Sequence, residues 1–139
     1  MATRSRIAIE NSDKTVSSIY CHSDGYPEGV GQKLMSFYQD RNKVEELIAL
    51  GDLSYLEARI APTPGVPHSF DGEREKGVTV AYHRDREEDL RSPRLDAGLA
   101  VFNESDVEEY GYVYTLEGEW YMVDGHRDIR NLTLLSELL

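Results

Sequence analysis

The segment from Tyr20 to Gly31, YCHSDGYPEGVG, gathers the densest set of groups able to bind or react: Tyr20, His22, Asp24 and Tyr26 set among Gly25, Gly29 and Gly31. Glycines ahead of a helix let backbone N–H groups turn toward an anion, and the helix dipole adds to the attraction. The spacing here is neither the dinucleotide fingerprint nor a P-loop, and no lysine follows in the P-loop position. Glu28 would oppose an anion, though it also suits the start of a helix. Two readings stay open: a tight strand-to-helix turn, or a loop that touches a ligand.

Each histidine has an aspartate close behind it, giving the pairs His22/Asp24, His68/Asp71, His83/Asp85 and His126/Asp128. Two positions apart on a strand face the same way, so such a pair could share a site, and Tyr82, His83 and Asp85 are the second candidate cluster. Pairs that met in space could bind a divalent metal or work as an acid/base couple. No HExxH or CxxC spacing is present, so no metal site and no cofactor are assigned. Cys21 adjoins His22, but strand neighbours point to opposite faces and cannot form a nucleophile–base pair. No catalytic residue is assigned either.

The elements that position these residues are read from periodicity. Residues 6–11 alternate apolar and polar, and residues 15–21 (TVSSIYC) are rich in β-branched types, so the two predict a hairpin. Val30, Leu34, Phe37 and Tyr38 predict a helix. Asn42, with Glu45 three residues on, predicts the cap of a second helix that Gly51 ends. Residues 62–76 and 85–98 read as loops, with a strand at 78–83 between them and a short strand at 99–102. Ser105 and Glu108 make a second capping box, for a single helical turn. Residues 110–116 and 119–123 flank Glu117–Gly118 as the clearest hairpin, with Tyr110, Tyr112 and Tyr114 on one face. A last helix or an apolar tail closes the chain. The expectation is one α+β domain over 1–139, with an antiparallel or mixed sheet of four to six strands and helices mainly on one face.

The chain has 26 acidic and 15 basic residues and a net charge of -11, which disfavours direct binding of nucleic acid or an anionic membrane. A single cysteine, no secretory signal and no long apolar run predict a cytoplasmic protein. The tail LTLLSELL is compatible with a homo-oligomer or with closure of the chain's own core.

The segments YCHSDGYPEGVG, ALGDL (49–53), HSFD (68–71), GVTVAYHRD (77–85) and EWYMVDG (119–125) resemble a family of small phage- and prophage-encoded proteins of unassigned function. Ser23 stands where the resemblance implies a tryptophan. It implies an accessory protein acting in the host bacterial cytoplasm, by association a counter-defence protein. On that footing the leading expectation is non-enzymatic sequestration of a small nucleotide-like host signal, with phosphate at the glycine-rich turn and tyrosines stacking a base. Arg4, Arg6, Lys33, Arg84 and Arg86 are the cations that could offset the overall charge. The alternatives are an acidic inhibitor that mimics nucleic acid and blocks a basic host protein, and a metal-dependent hydrolase built on the His/Asp pairs.

Overall fold

The computed structural model describes residues 2–139. The first hairpin joins β1 (Ser5–Glu10) to β2 (Val16–Cys21) in antiparallel register, Ile7 opposite Ile19. A π turn over Pro27–Gly31 leads into α1 (Gln32–Phe37), and α2 (Arg41–Ala49) follows. Asp40 caps α2 by accepting the Asn42 N–H at 3.0 Å, two residues ahead of the predicted cap. Gly51, at φ +84°, stops the helix as expected.

Beyond α2 come β3 (Leu53–Tyr55), β4 (Val80–Ala81), α3 (Tyr82–Arg86), β5 (Arg94–Asp96) and α4 (Leu99–Glu104). The tyrosine hairpin is β6 (Tyr110–Tyr114) and β7 (Trp120–Asp124), and β8 (Thr133–Leu134) closes that edge before a short 3-10 turn. The sheet runs β4-β3-β2-β1-β6-β7-β8, with β5 pairing the far end of β2. The β1–β6 and β2–β3 pairs are parallel and the others antiparallel.

This sheet of eight strands overturns the expectation of four to six. The missed strands are two or three residues long, too short to show a period of two. Arg94–Asp96 lies inside a charge run, and Thr133–Leu134 lies in a leucine-rich stretch that reads as a last helix or an apolar tail. Two further expectations fail at 78–83 and 99–102. The first is a strand of two residues that turns into α3, and the second is α4. Around the second capping box, Asp106 rather than Ser105 receives the Glu108 N–H, and Glu108 itself sits at φ +65°.

Alternation sorts the side chains onto two faces. Ile7, Ile9, Ile19, Tyr112, Tyr114 and Trp120 pack against Leu34, Tyr38, Val44, Leu47 and Ile48 of the α1–α2 segment. Ala8, Val16, Val113 and Val123 face the other way and are covered by Phe102 of α4 and by Val107. Helices therefore lie on both faces, which corrects the one-sided expectation. The second face also carries, beside the α4 cluster, the half-buried Arg6 and Tyr20 and the buried Ser18. Among the described residues no helix is long and apolar enough to cross a membrane.

Candidate functional site

The glycines of the Tyr20–Gly31 turn are held by the fold. Gly25 donates its N–H to the Thr3 carbonyl at 2.8 Å, and its own carbonyl accepts the Tyr112 hydroxyl at 2.7 Å. A Cβ at Gly29 would stand 2.3 Å from the Asp24 carbonyl oxygen, and one at Gly31 would press on the Tyr112 ring at 3.3 Å. Asp24 takes the left-handed conformation at φ +56°, and its carbonyl accepts the Val30 N–H at 2.8 Å. Asp24 and Tyr26 are exposed on the outside of this turn. Close packing thus explains all three glycines, and α1 spans only Gln32–Phe37.

A cleft of about 230 Å³ opens beside it, lined by Tyr20, Asp52, Tyr82, His83, Arg86 and residues 88–91. Asp52 builds it. Its carboxylate accepts the Tyr20 N–H at 3.0 Å and its carbonyl accepts the Tyr82 N–H at 3.2 Å, so one residue at the start of β3 fixes both tyrosines. The Tyr20 hydroxyl shares a 2.7 Å hydrogen bond with Nδ1 of His22, which orients the phenol from the adjoining strand end. Partial burial raises the pKa of Tyr20, with Arg4 acting in the opposite direction. The Tyr82 ring packs on Phe70 with 5.5 Å between centroids, and the Arg86 guanidinium lies 4.6 Å from the Phe70 centroid. Nδ1 of His83 lies 2.6 Å from the Glu88 carbonyl, closing the α3 turn around the cleft. Two tyrosines, a histidine and two arginines can stack a planar group and bond to its polar edge.

Asp85 is turned away from this cleft. Because 82–86 is a helical turn, His83 and Asp85 do not share the strand face that the sequence suggests. The Asp85 side chain is 2% exposed and forms a fork with Arg84 at 2.9 Å for both contacts. It also accepts the Ala81 N–H at 2.8 Å, with His68 Nε2 at 3.6 Å. The Glu75 N–H donates to His68 Nδ1 at 3.1 Å, so Nε2 is the protonated nitrogen and points to the Thr79 carbonyl at 3.0 Å. The HSFD and YHRD segments are therefore two halves of one structural lock around the 62–76 excursion, and Asp71 takes no part in it.

At the opposite end of the sheet His126 contacts Asp124 at 2.9 Å and Glu109 at 3.3 Å, in place of Asp128. The hydrogen bond to Asp124, with help from Glu109, raises its pKa. A raised folded-state pKa stabilises the protein fully below the unfolded value of about 6.5, and that contribution is lost as pH rises through the folded value. The stability difference between wild type and His126→Gln, measured by urea unfolding, is expected to be larger at pH 5.5 than at pH 8.5. An equal difference at both pH values would contradict this.

Among the described residues no group of three or more His, Cys, Asp or Glu side chains is placed to hold a metal ion, so the His/Asp pairs do not converge. Cys21 is fully buried and its thiol is pushed up to about 12 by burial, which leaves it a core residue.

No protein-family model, no curated protein and no solved structure matches this chain.

Of the residues singled out in the sequence, the fold brings Tyr20, Tyr82 and His83 into one cleft, with His22 behind Tyr20. It leaves Asp24, Gly25, Tyr26, Gly29 and Gly31 in the neighbouring turn and buries Asp85. Asp52 and Arg91 were not among the candidates. Asp52 had a signal, as the aspartate directly after the glycine that stops α2.

Proposed function

We propose that the protein is a non-catalytic binding protein that sequesters a small, planar, nucleotide-like molecule, with the ring held between Tyr20 and Tyr82. The cleft around Asp52 is the observation that carries this reading, because one residue there anchors the backbone of two tyrosines that line it beside His83, Arg86 and Arg91. The resemblance to phage-encoded accessory proteins favours a host signal as the molecule removed. Stacking of a base on an aromatic side chain contributes about 1–3 kcal/mol. Removing one ring should therefore weaken binding by roughly one to two orders of magnitude.

AMP serves as the probe. Titrated into labelled protein, it is expected to shift the backbone amides of Tyr20, Asp52, Tyr82, His83 and residues 86–91, and Tyr82→Ala should weaken the apparent affinity at least about tenfold. Shifts centred on Gly25–Gly31 would return the site to the glycine turn. Absence of any shift at millimolar AMP would remove the nucleotide-like character.

A further inference from the structure

We propose that Arg6 and Arg94, half-buried on the sheet face beside the cleft, receive a phosphate group, so that the ligand carries its ring in the cleft and its phosphate over the sheet. The placement follows from register. Arg6 lies directly opposite Tyr20 in the β1–β2 ladder, and Arg94 lies opposite Ser18 in the β2–β5 ladder. Ser18 and Tyr20 are two apart on one strand, so all four side chains stand on one face. Directly opposed side chains have Cβ atoms about 4.5–5.5 Å apart, within reach of a single mononucleotide.

The charge arrangement asks for an anion. Arg6 is half-buried and donates Nε to the Ser18 hydroxyl at 2.9 Å and Nη2 to the Ser18 carbonyl at 3.0 Å. Among the described residues no carboxylate lies within salt-bridge distance of it, although the chain carries 26 acidic residues. Burial first, and then the neighbouring cation Arg94, lower the Arg6 pKa, while Asp52, Glu108 and Asp96 act in the opposite direction. Arg94 pairs with Asp96 at 3.1 Å and also donates to the Asp106 carbonyl at 2.6 Å and the Ser105 hydroxyl at 2.8 Å. The two half-buried guanidiniums repel each other, and an oxyanion bonded to both would offset that repulsion. The cleft supplies the second argument. Ligand pockets usually span about 300–1,000 Å³, and at about 230 Å³ this one holds a ring but not the rest of a nucleotide.

The ring half of this inference rests on the proposed cleft, and the arginine half does not. Calorimetry with adenosine, AMP and inorganic pyrophosphate separates them. Wild-type protein is expected to bind AMP at least about tenfold more tightly than adenosine, and Arg6→Gln should bring the two within about threefold while adenosine affinity stays unchanged. Arg6→Lys, which keeps the charge without the fork, should fall between. Pyrophosphate alone should raise the wild-type Tm and leave that of Arg6→Gln unmoved. Equal affinity for AMP and adenosine in the wild type, or an AMP preference that survives Arg6→Gln, overturns the phosphate site. Pyrophosphate stabilisation that depends on Arg6, without adenosine binding, upholds the arginine site and overturns the cleft.

Discussion

Asp85→Ala is expected to destabilise the protein by about 3–5 kcal/mol, the range for breaking a buried ion pair from one side. The substitution leaves the Arg84 guanidinium without its fork and the Ala81 N–H without an acceptor. His68 loses the carboxylate 3.6 Å from its Nε2, one of the contacts between the 62–76 excursion and α3. Asp85→Asn keeps an acceptor for Ala81 but loses the charge, and should cost about 1–3 kcal/mol. Urea unfolding of the two variants checks this. A ligand-contacting Asp85 makes the opposite prediction, with a stable fold and binding alone lost, and a wild-type midpoint for Asp85→Ala would restore that role.

Gly29→Ala is expected to destabilise by about 3 kcal/mol through overpacking. The new methyl would lie 2.3 Å from the Asp24 carbonyl oxygen and 3.1 Å from the Asp24 Cβ. Neither atom can retreat cheaply. Asp24 is already in the left-handed region at φ +56°, and its carbonyl is held by the Val30 N–H at 2.8 Å. A fitting control is Gly98→Ala at the start of α4, where the added Cβ meets the Lys14 carbonyl at an ordinary 3.6 Å and the backbone is extended. That variant should change stability by about 0.5 kcal/mol or less. Thermal unfolding of both distinguishes a packing glycine from one kept open for an anion. The anion-cradle reading predicts little change in the stability of Gly29→Ala and a loss of binding.

These variants show where sequence and structure part. Strong local periodicity was legible: the β1–β2 and β6–β7 hairpins, the stop at Gly51 and the tyrosine face under the helices follow from alternation and turn chemistry. The short strands were not, because strands of two or three residues owe their existence to neighbours far away in the chain. The YHRD segment marks the same limit. Val80 and Ala81 begin as a strand, but the Asp85 carboxylate on the Ala81 N–H and the fork with Arg84 favour a helical turn, which separates His83 from Asp85. Glycine-rich composition proved ambiguous for a related reason. Close approach of Thr3, Tyr112 and Leu135 explains Gly25 and Gly31, and none of those residues is near in sequence. The candidate cleft was half legible. Tyr20, Tyr82 and His83 stood out by type, whereas Asp52 acts through backbone contacts that composition does not announce.

The most direct test of sequestration in the Tyr20–Tyr82 cleft is to incubate the purified protein with bacterial extract, remove unbound material, denature by heat and identify released small molecules by mass spectrometry. The account predicts an unmodified phosphorylated ring compound, recovered in stoichiometric amount from wild type and reduced at least about tenfold with Tyr82→Ala. Release of nothing above background, equal release from the variant, or a product chemically altered with time would contradict it.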